Sequence, residues 1–478
     1  MAITRRQFLK RTGLATAGAV TIPSLFSNPL VRRAFADTIG NKYLIVIFLD
    51  GGNDGLNTVV PSADATDNLR TAYETARGTG GGGLRLSAAS LAATAVANDP
   101  ISGTGLALHP GLIGLKNMYD AHGNVAVIQG CGYPDYNLSH ELSRIIWQTA
   151  SPTVQQAYGW AGRHLMGEYN LNDIPAVCIG NTIAPEYRQL GTNVLAINRL
   201  NGFDFPGDDA YFGDNTAKQT AFSAIHAAAQ GTTHPLSQTM GVVGAKTLQS
   251  TLDYNGLHGD WNSGRSSTIK DAYDDSIDNG YGSGIATRMR EISKMIYGVE
   301  QGAPGVDCHF FHLSNGGYDT HSDQGTDGAN DQQYSLHREL GDSLELFHND
   351  LVDMGGGVDS RYCVVVWSEF SRRIEQNANG TDHGSQGPMF VVGGGVNGGV
   401  YGNHPDIRVA SQDNGGNTVY SQNANPYRST DFRDVFGTIL KHWVGMTQGD
   451  VQLLLPVDTI GSATDYWHTS NFNMGFLP

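Results

Sequence analysis

Tyr43-Leu44-Ile45-Val46-Ile47-Phe48-Leu49, followed at once by Asp50-Gly51-Gly52-Asn53-Asp54-Gly55, decides the fold. The apolar run is of strand length and rich in β-branched residues, as suits a strand buried on both faces of a parallel sheet. The Gly/Asn/Asp run behind it is turn chemistry. The same grammar recurs along the chain. Val125-Ala126-Val127-Ile128-Gln129-Gly130 precedes a loop and a predicted helix from Ser139. His309–Leu313 precedes Ser314-Asn315-Gly316-Gly317-Tyr318-Asp319, and Tyr362–Trp367 precedes Ser368-Glu369-Phe370. Met389–Gly393 reads as a fifth strand.

Helical periods lie between these runs. Leu336, Leu340, Leu344, Phe347 and Leu351 form one apolar stripe, and Ile285, Met289, Ile292 and Ile296 form another. A last helix opens at Thr430-Asp431, either of which suits an N-cap, and runs through Trp443. Strands alternating with helices predict an α/β fold with a mainly parallel sheet flanked by helices on both faces. Residues 37–478 read as a single domain. Two stretches interrupt the pattern, near 63–107 and 200–280, and are expected to be Gly- and Asp-rich cap insertions, the second with some helix around Ala217–Ala229.

Composition narrows the function. The chain has 478 residues with 62 glycines, nearly twice the usual share of about 7%; its apolar and aromatic content assigns that glycine to loops of a folded protein. The formal charge is −16, although six basic residues and no acid fall in the first 36 positions. A body that acidic repels a phosphate backbone, so nucleic acid is not an expected partner. No later stretch has the uninterrupted apolar length of a membrane span. Cys131, Cys178, Cys308 and Cys363 are far apart, which excludes a zinc ribbon or disulfide scaffold.

The first 36 residues read as an address. Thr4-Arg5-Arg6-Gln7-Phe8-Leu9-Lys10 leads into a weakly apolar stretch from Gly13 to Phe26, and Ala34-Phe35-Ala36 supplies small residues for cleavage before Asp37. This is the pattern of a twin-arginine export signal, and it predicts a periplasmic or extracellular protein exported folded.

Polar and metal-capable residues gather just past the predicted strand ends, where open α/β sheets place ligands. Asp50 ends the first strand; Ser139 and His140 follow the second at a helix start. Asp319 and His321 follow the third, Glu369 follows the fourth, and His383 precedes the fifth. Carboxylates and imidazoles from separate loops suit zinc, manganese or calcium to different degrees. A hydroxyl at a helix N-terminus beside such an ion suits a nucleophile, although Ser139 fits an N-cap equally. Either His140 is a packed surface histidine or it is itself the reacting or ligating group. Arg372 or Arg373 could hold an anionic substrate oxygen in a bidentate fork.

These motifs together, Phe48–Thr58, Leu138-Ser139-His140-Glu141, Gly317–His321, Ser368-Glu369-Phe370 and Gly380–Gly384, resemble the twin-arginine-exported domain-of-unknown-function family 1501 from about residue 42 to 446. The resemblance implies an alkaline phosphatase/sulfatase-like fold. Carried over by position, it implies Asp50, Asp319, His321, Glu369 and His383 as ligands of one or two divalent ions and Ser139 as nucleophile. Two departures from the superfamily pattern stand out. Ser368-Glu369-Phe370 replaces the usual Asp-His-Gly, which weakens a second metal position, and no Cys/Ser-x-Pro-x-Arg occurs, which removes the maturation site of sulfatases.

The expectation is therefore an exported metal-dependent hydrolase of phosphate esters, ahead of sulfate esters. The alternative from another class is a catalytically silent relative that binds or assembles with a partner at the cell surface. Asp323–Asp331 has acidic spacing but lacks an EF-hand's third and twelfth ligands, and reads better as a helix flank. His109-Pro110-Gly111-Leu112 reads as structural, and the Gly-rich runs lack a nucleotide pattern.

Overall fold

The computed structural model describes residues 39–78, 82–133, 136–151, 157–169, 173–189, 191–201, 215–278, 284–408, 425–426, 428–455 and 471–478. The expected export signal lies outside them, as do parts of the 200–280 stretch.

The opening apolar run forms strand β1 (Tyr43–Leu49), every residue of it buried. A side hairpin, β2 (Val59–Ala63) with β3 (Gly105–Leu108), comes next. The main sheet continues with β4 (Val125–Gly132), β5 (Ala176–Ile179), β6 (Val194–Ile197), β7 (Phe310–Asn315) and β8 (Tyr362–Ser368). After the short β9 (Ser371–Arg372) and β10 (His383–Gly384) come β11 (Gly387–Val392) and β12 (Gly399–Tyr401). The order across the sheet is β12-β4-β11-β8-β1-β7-β5-β6. Seven of these eight strands run in one direction, whereas β11 runs antiparallel to both β4 and β8.

That reversal matters for the site. Because β11 is antiparallel, its N-terminal end lies on the edge where β1, β4, β7 and β8 end. A residue just before β11 thus joins residues just after the other four.

Alternate residues of β1 enter two cores. Leu44, Val46 and Phe48 face helices that include α1 (His140–Thr149) and α2 (Trp160–Glu168). Tyr43, Ile45, Ile47 and Leu49 face α3 (Ile285–Glu300) and α4 (Gln332–Met354). Both predicted stripes are buried as drawn, apart from Leu336, which is only partly covered. The helix expected from Thr430 begins at Phe432, with Asp431 accepting from the Arg433 amide as its N-cap, and it is not the last, because a helix over Gln448–Leu454 follows it. Tyr73 and Leu91 of the first insertion pack a small separate core together with Leu56, Val60, Ile374 and Ile407. Described residues of the second are almost wholly helical, including a helix over Pro235–Gly264. No helix among the described residues is long and apolar enough to cross a membrane. The four cysteines are buried free thiols.

Candidate metal centre

The loop after β1 and the loop after β7 touch through glycine. Gly51 has φ +125°, and a Cβ there would lie 2.4 Å from the Asp319 backbone nitrogen. This contact, with the amide of Tyr318 donating to the Asp50 carbonyl at 3.3 Å, holds Asp319 at the sheet edge. β9 and β10 then form a two-stranded ribbon with His383 opposite Arg372. The Thr381 amide donates to the Thr320 carbonyl, so the His321 and His383 loops meet.

Four of the expected residues converge. His140, Asp319 and His383 each offer one ligand atom within 4.8 Å of the others. His321 Nε2 lies 3.0 Å from His383 Nε2 and 3.2 Å from Asp319 Oδ1. His383 Nε2 is 3.2 Å from Asp319 Oδ1, and His140 Nε2 is 3.5 Å from Asp319 Oδ2. Phe370 lies beneath, its ring 4.4 Å from that of His383 and 4.8 Å from that of His140.

The hydrogen-bond partners assign two of the three tautomers. His383 Nδ1 faces the Leu138 carbonyl at 2.8 Å, which can only accept, so Nδ1 carries the proton. His140 Nδ1 faces Glu369 Oε1 at 2.7 Å, and His321 Nδ1 faces Asp382 Oδ1 at 3.2 Å. With Nδ1 as the donor, His383 and His140 turn Nε2 toward Asp319, whereas His321 has a carboxylate oxygen 3.2 Å from each of its ring nitrogens, so either can carry its proton. Acceptors crowded this way repel one another unless a proton or a cation lies among them. Zinc–ligand bonds of about 2.0–2.1 Å in a tetrahedron set ligand separations near 3.3 Å. The four spacings read here, 3.0–3.5 Å, are of that size, with His140 facing the other Asp319 oxygen from His321 and His383.

Electrostatics differ residue by residue. Burial would push the Asp319 carboxyl up, but the hydrogen bond and charge of Arg372, with His383 and His321, hold it below its ordinary value. The hydrogen bond to Glu369 raises His140, against burial. Burial lowers His383. Burial and the neighbouring Glu369 charge raise Asp50.

Three expected roles need correction. Glu369 is fully buried and stands behind His140 instead of in the ligand cluster. Its Oε1 accepts from the Gly51 amide and its Oε2 from the Gly52 amide and the Ser368 hydroxyl. It orients an imidazole as an outer-layer carboxylate does. Arg372 is not a substrate fork: it is wholly buried, and its donors go to the carbonyls of Gly51, Gly52, Tyr318 and Thr381 and to Asp319 Oδ1. Asp50 stands outside the donor group, its carboxylate facing Arg144 at 3.8 Å.

Ser139 is exposed at the N-cap position of α1, yet its side chain makes no capping bond; the Asn137 side chain accepts from its amide instead. Among the described residues the hydroxyl therefore has no hydrogen-bond partner, one residue before His140. Asp331 stands at the N-cap position of α4 but accepts from the amides of Thr326 and Gly328 in its own loop and makes no capping bond to the helix, and His109 is buried as a structural cap. Sequence reasoning gave Asp382 no role of its own and did not single out Arg144. Asp382 was visible as the neighbour of His383, and Arg144 as the residue one helical turn after His140.

Residues 299–455 match the family described as Protein of unknown function (DUF1501). That span takes in Asp319, His321, Glu369, Arg372, Asp382 and His383. No curated protein matches the chain.

Proposed function

We propose that the chain is an exported metal-dependent hydrolase of phosphate esters, in preference to sulfate esters, with an alkaline phosphatase-like fold. The observation that carries this is the convergence of three imidazole Nε2 atoms on the Asp319 carboxylate at the sheet edge. His140, His321, His383 and Asp319 would hold a divalent ion. Zinc suits the three imidazoles best; manganese is compatible, and calcium suits them least. When bound, the ion neutralises charge developing on the transferring group.

The chain's own groups supply the rest. Ser139 presents its hydroxyl at a helix N-terminus, where the helix dipole favours a developing anion. Its oxygen attacks phosphorus as the bond to the ester oxygen breaks, the seryl proton passes through solvent to the departing alcohol, and water then cleaves the seryl phosphate to inorganic phosphate and the free serine. Glu369 fixes the His140 ring. Arg372 ties the three loops together and keeps Asp319 ionised. The twin-arginine pattern supports action in the periplasm or outside the cell, on an ester substrate that reaches it there.

A second reading has one observation behind it. Glu369, where the superfamily pattern calls for a second-metal ligand, has both oxygens occupied by the protein itself. That supports a single-ion centre and, in the limit, a silent member that binds or assembles with a surface partner.

Elemental analysis of the purified mature protein, beside Asp319→Ala and His383→Ala, separates these readings. The hydrolase reading expects near-stoichiometric metal that both variants lose, and turnover of phosphomonoesters or phosphodiesters that Ser139→Ala abolishes. No metal in the wild type after refilling with zinc, manganese or calcium would overturn it in favour of the binding protein.

A further inference from the structure

Four carboxylates, Asp50, Asp319, Glu369 and Asp382, crowd the candidate centre, and such a field repels an anionic ester. A substrate anion therefore needs a cation with open donors in addition to any bound ion. Arg372 cannot serve, because its guanidinium is buried and bonded on every side.

Arg144 is placed differently. It follows His140 by four positions on α1, so the two side chains leave the same helix face. Its side chain is 37% exposed, and its nearest opposite charge is Asp50 Oδ1 at 3.8 Å, beyond hydrogen-bond range. Its guanidinium makes no hydrogen bond among the described residues. Asp50 is itself 44% exposed, so the pair faces solvent at the rim of the cluster.

We propose that Arg144 is the oxyanion-binding residue of this site, taking two oxygens of a tetrahedral phosphoryl group in its planar fork, with Asp50 as the resting counter-charge that the substrate displaces. The proposal rests on the hydrolase reading for its biological meaning. The fork matches the spacing of two phosphoryl oxygens and gives a geometric selection that a lysine cannot reproduce. Asp50 competes with the incoming anion, so its charge tunes affinity in the opposite direction.

The test is calorimetric titration of inorganic phosphate, with inorganic sulfate in parallel, into wild type, Arg144→Gln, Arg144→Lys and Asp50→Asn, each metal-loaded and metal-free. Arg144→Gln should keep its metal content and melting temperature yet bind phosphate about 10- to 100-fold more weakly. Arg144→Lys should recover only part of the loss, and Asp50→Asn should bind more tightly than wild type. Tighter sulfate than phosphate binding would keep the residue and move the substrate class to sulfate esters. Phosphate affinity unchanged in Arg144→Gln, with metal retained, overturns the proposal. A wild type that binds no metal defeats the hydrolase reading alone, because Arg144 is still judged by phosphate binding to the metal-free proteins; no phosphate binding there overturns it too.

Discussion

Oε1 of Glu369 lies 2.7 Å from Nδ1 of His140, while the backbone amide of Gly51 donates to the same oxygen at 2.9 Å. One buried carboxylate thus fixes both the turn after β1 and the ring of a residue from the helix after β4. Three segments far apart in sequence are set in register by a side chain that need not touch a ligand.

Glu369→Gln tests that relationship. An amide retains one acceptor oxygen but turns an NH2 group toward donors, either His140 Nδ1 and Gly51 or Gly52 and Ser368. The expected loss is about 1–3 kcal/mol of stability from buried donors left unpaired, read as a fall in melting temperature. Metal affinity should fall about 10- to 100-fold, the usual cost of losing an outer-layer partner of a ligating histidine. A chelator competition titration measures it, and an unchanged affinity would show that His140 is oriented by something else.

The pH dependence follows from opposite shifts in two neighbouring imidazoles. Glu369's hydrogen bond raises the pKa of His140, and burial lowers that of His383. With Nδ1 already protonated, the next proton on His140 goes to Nε2 and removes its ligand lone pair. Metal affinity should therefore climb as pH rises past about 6.5 and level off only above the raised His140 value. In the metal-free protein the two rings pull stability in opposite senses. The raised His140 contributes stability that is present below about 6.5 and lost as pH rises through its folded value, whereas the lowered His383 destabilises as pH falls below about 6.5. Ring resonances in NMR titration read the two apart better than melting does, and His140 titrating below His383 would contradict the assignment.

Much of this arrangement was legible in the sequence, for identifiable reasons. Buried strands announce themselves by runs such as Tyr43–Leu49, and strand ends in a parallel sheet share one edge, so Asp319, His321 and His140 were placed by topology alone. His383 was legible only by its nearness to a strand; that it reaches the edge depends on β11 running antiparallel, which no residue pattern declares. Glu369 and Arg372 look in sequence like any charged residues after a strand. Only burial shows that one accepts from the backbone and the other donates to four carbonyls. The helix over Pro235–Gly264 escaped notice because Gly241, Gly244, Gly256 and Gly259 interrupt a stripe of Leu248, Tyr254, Leu257 and Trp261 whose spacing is otherwise helical.

Gly51 lets the ligand cluster be perturbed without touching a ligand. It sits at φ +125°, which L-residues rarely adopt, and an added Cβ would lie 2.4 Å from the Asp319 nitrogen and 2.8 Å from the Tyr318 carbonyl carbon. Both contacts are with backbone, so neither can be relieved by a rotamer change, and the loop carrying Asp319 must shift. Gly51→Ala should cost roughly 2 kcal/mol or more and weaken metal binding, since a displacement of even a fraction of an ångström spoils ligand spacings now near 3.2 Å. Gly123→Ala is the control. Gly123 also has positive φ, +60°, but a Cβ there meets nothing within 4 Å, so it should lose only the conformational term of about 1–2 kcal/mol and keep wild-type metal affinity. Equal metal affinity in both variants would mean that the apposition of the β1 and β7 loops does not set the position of Asp319.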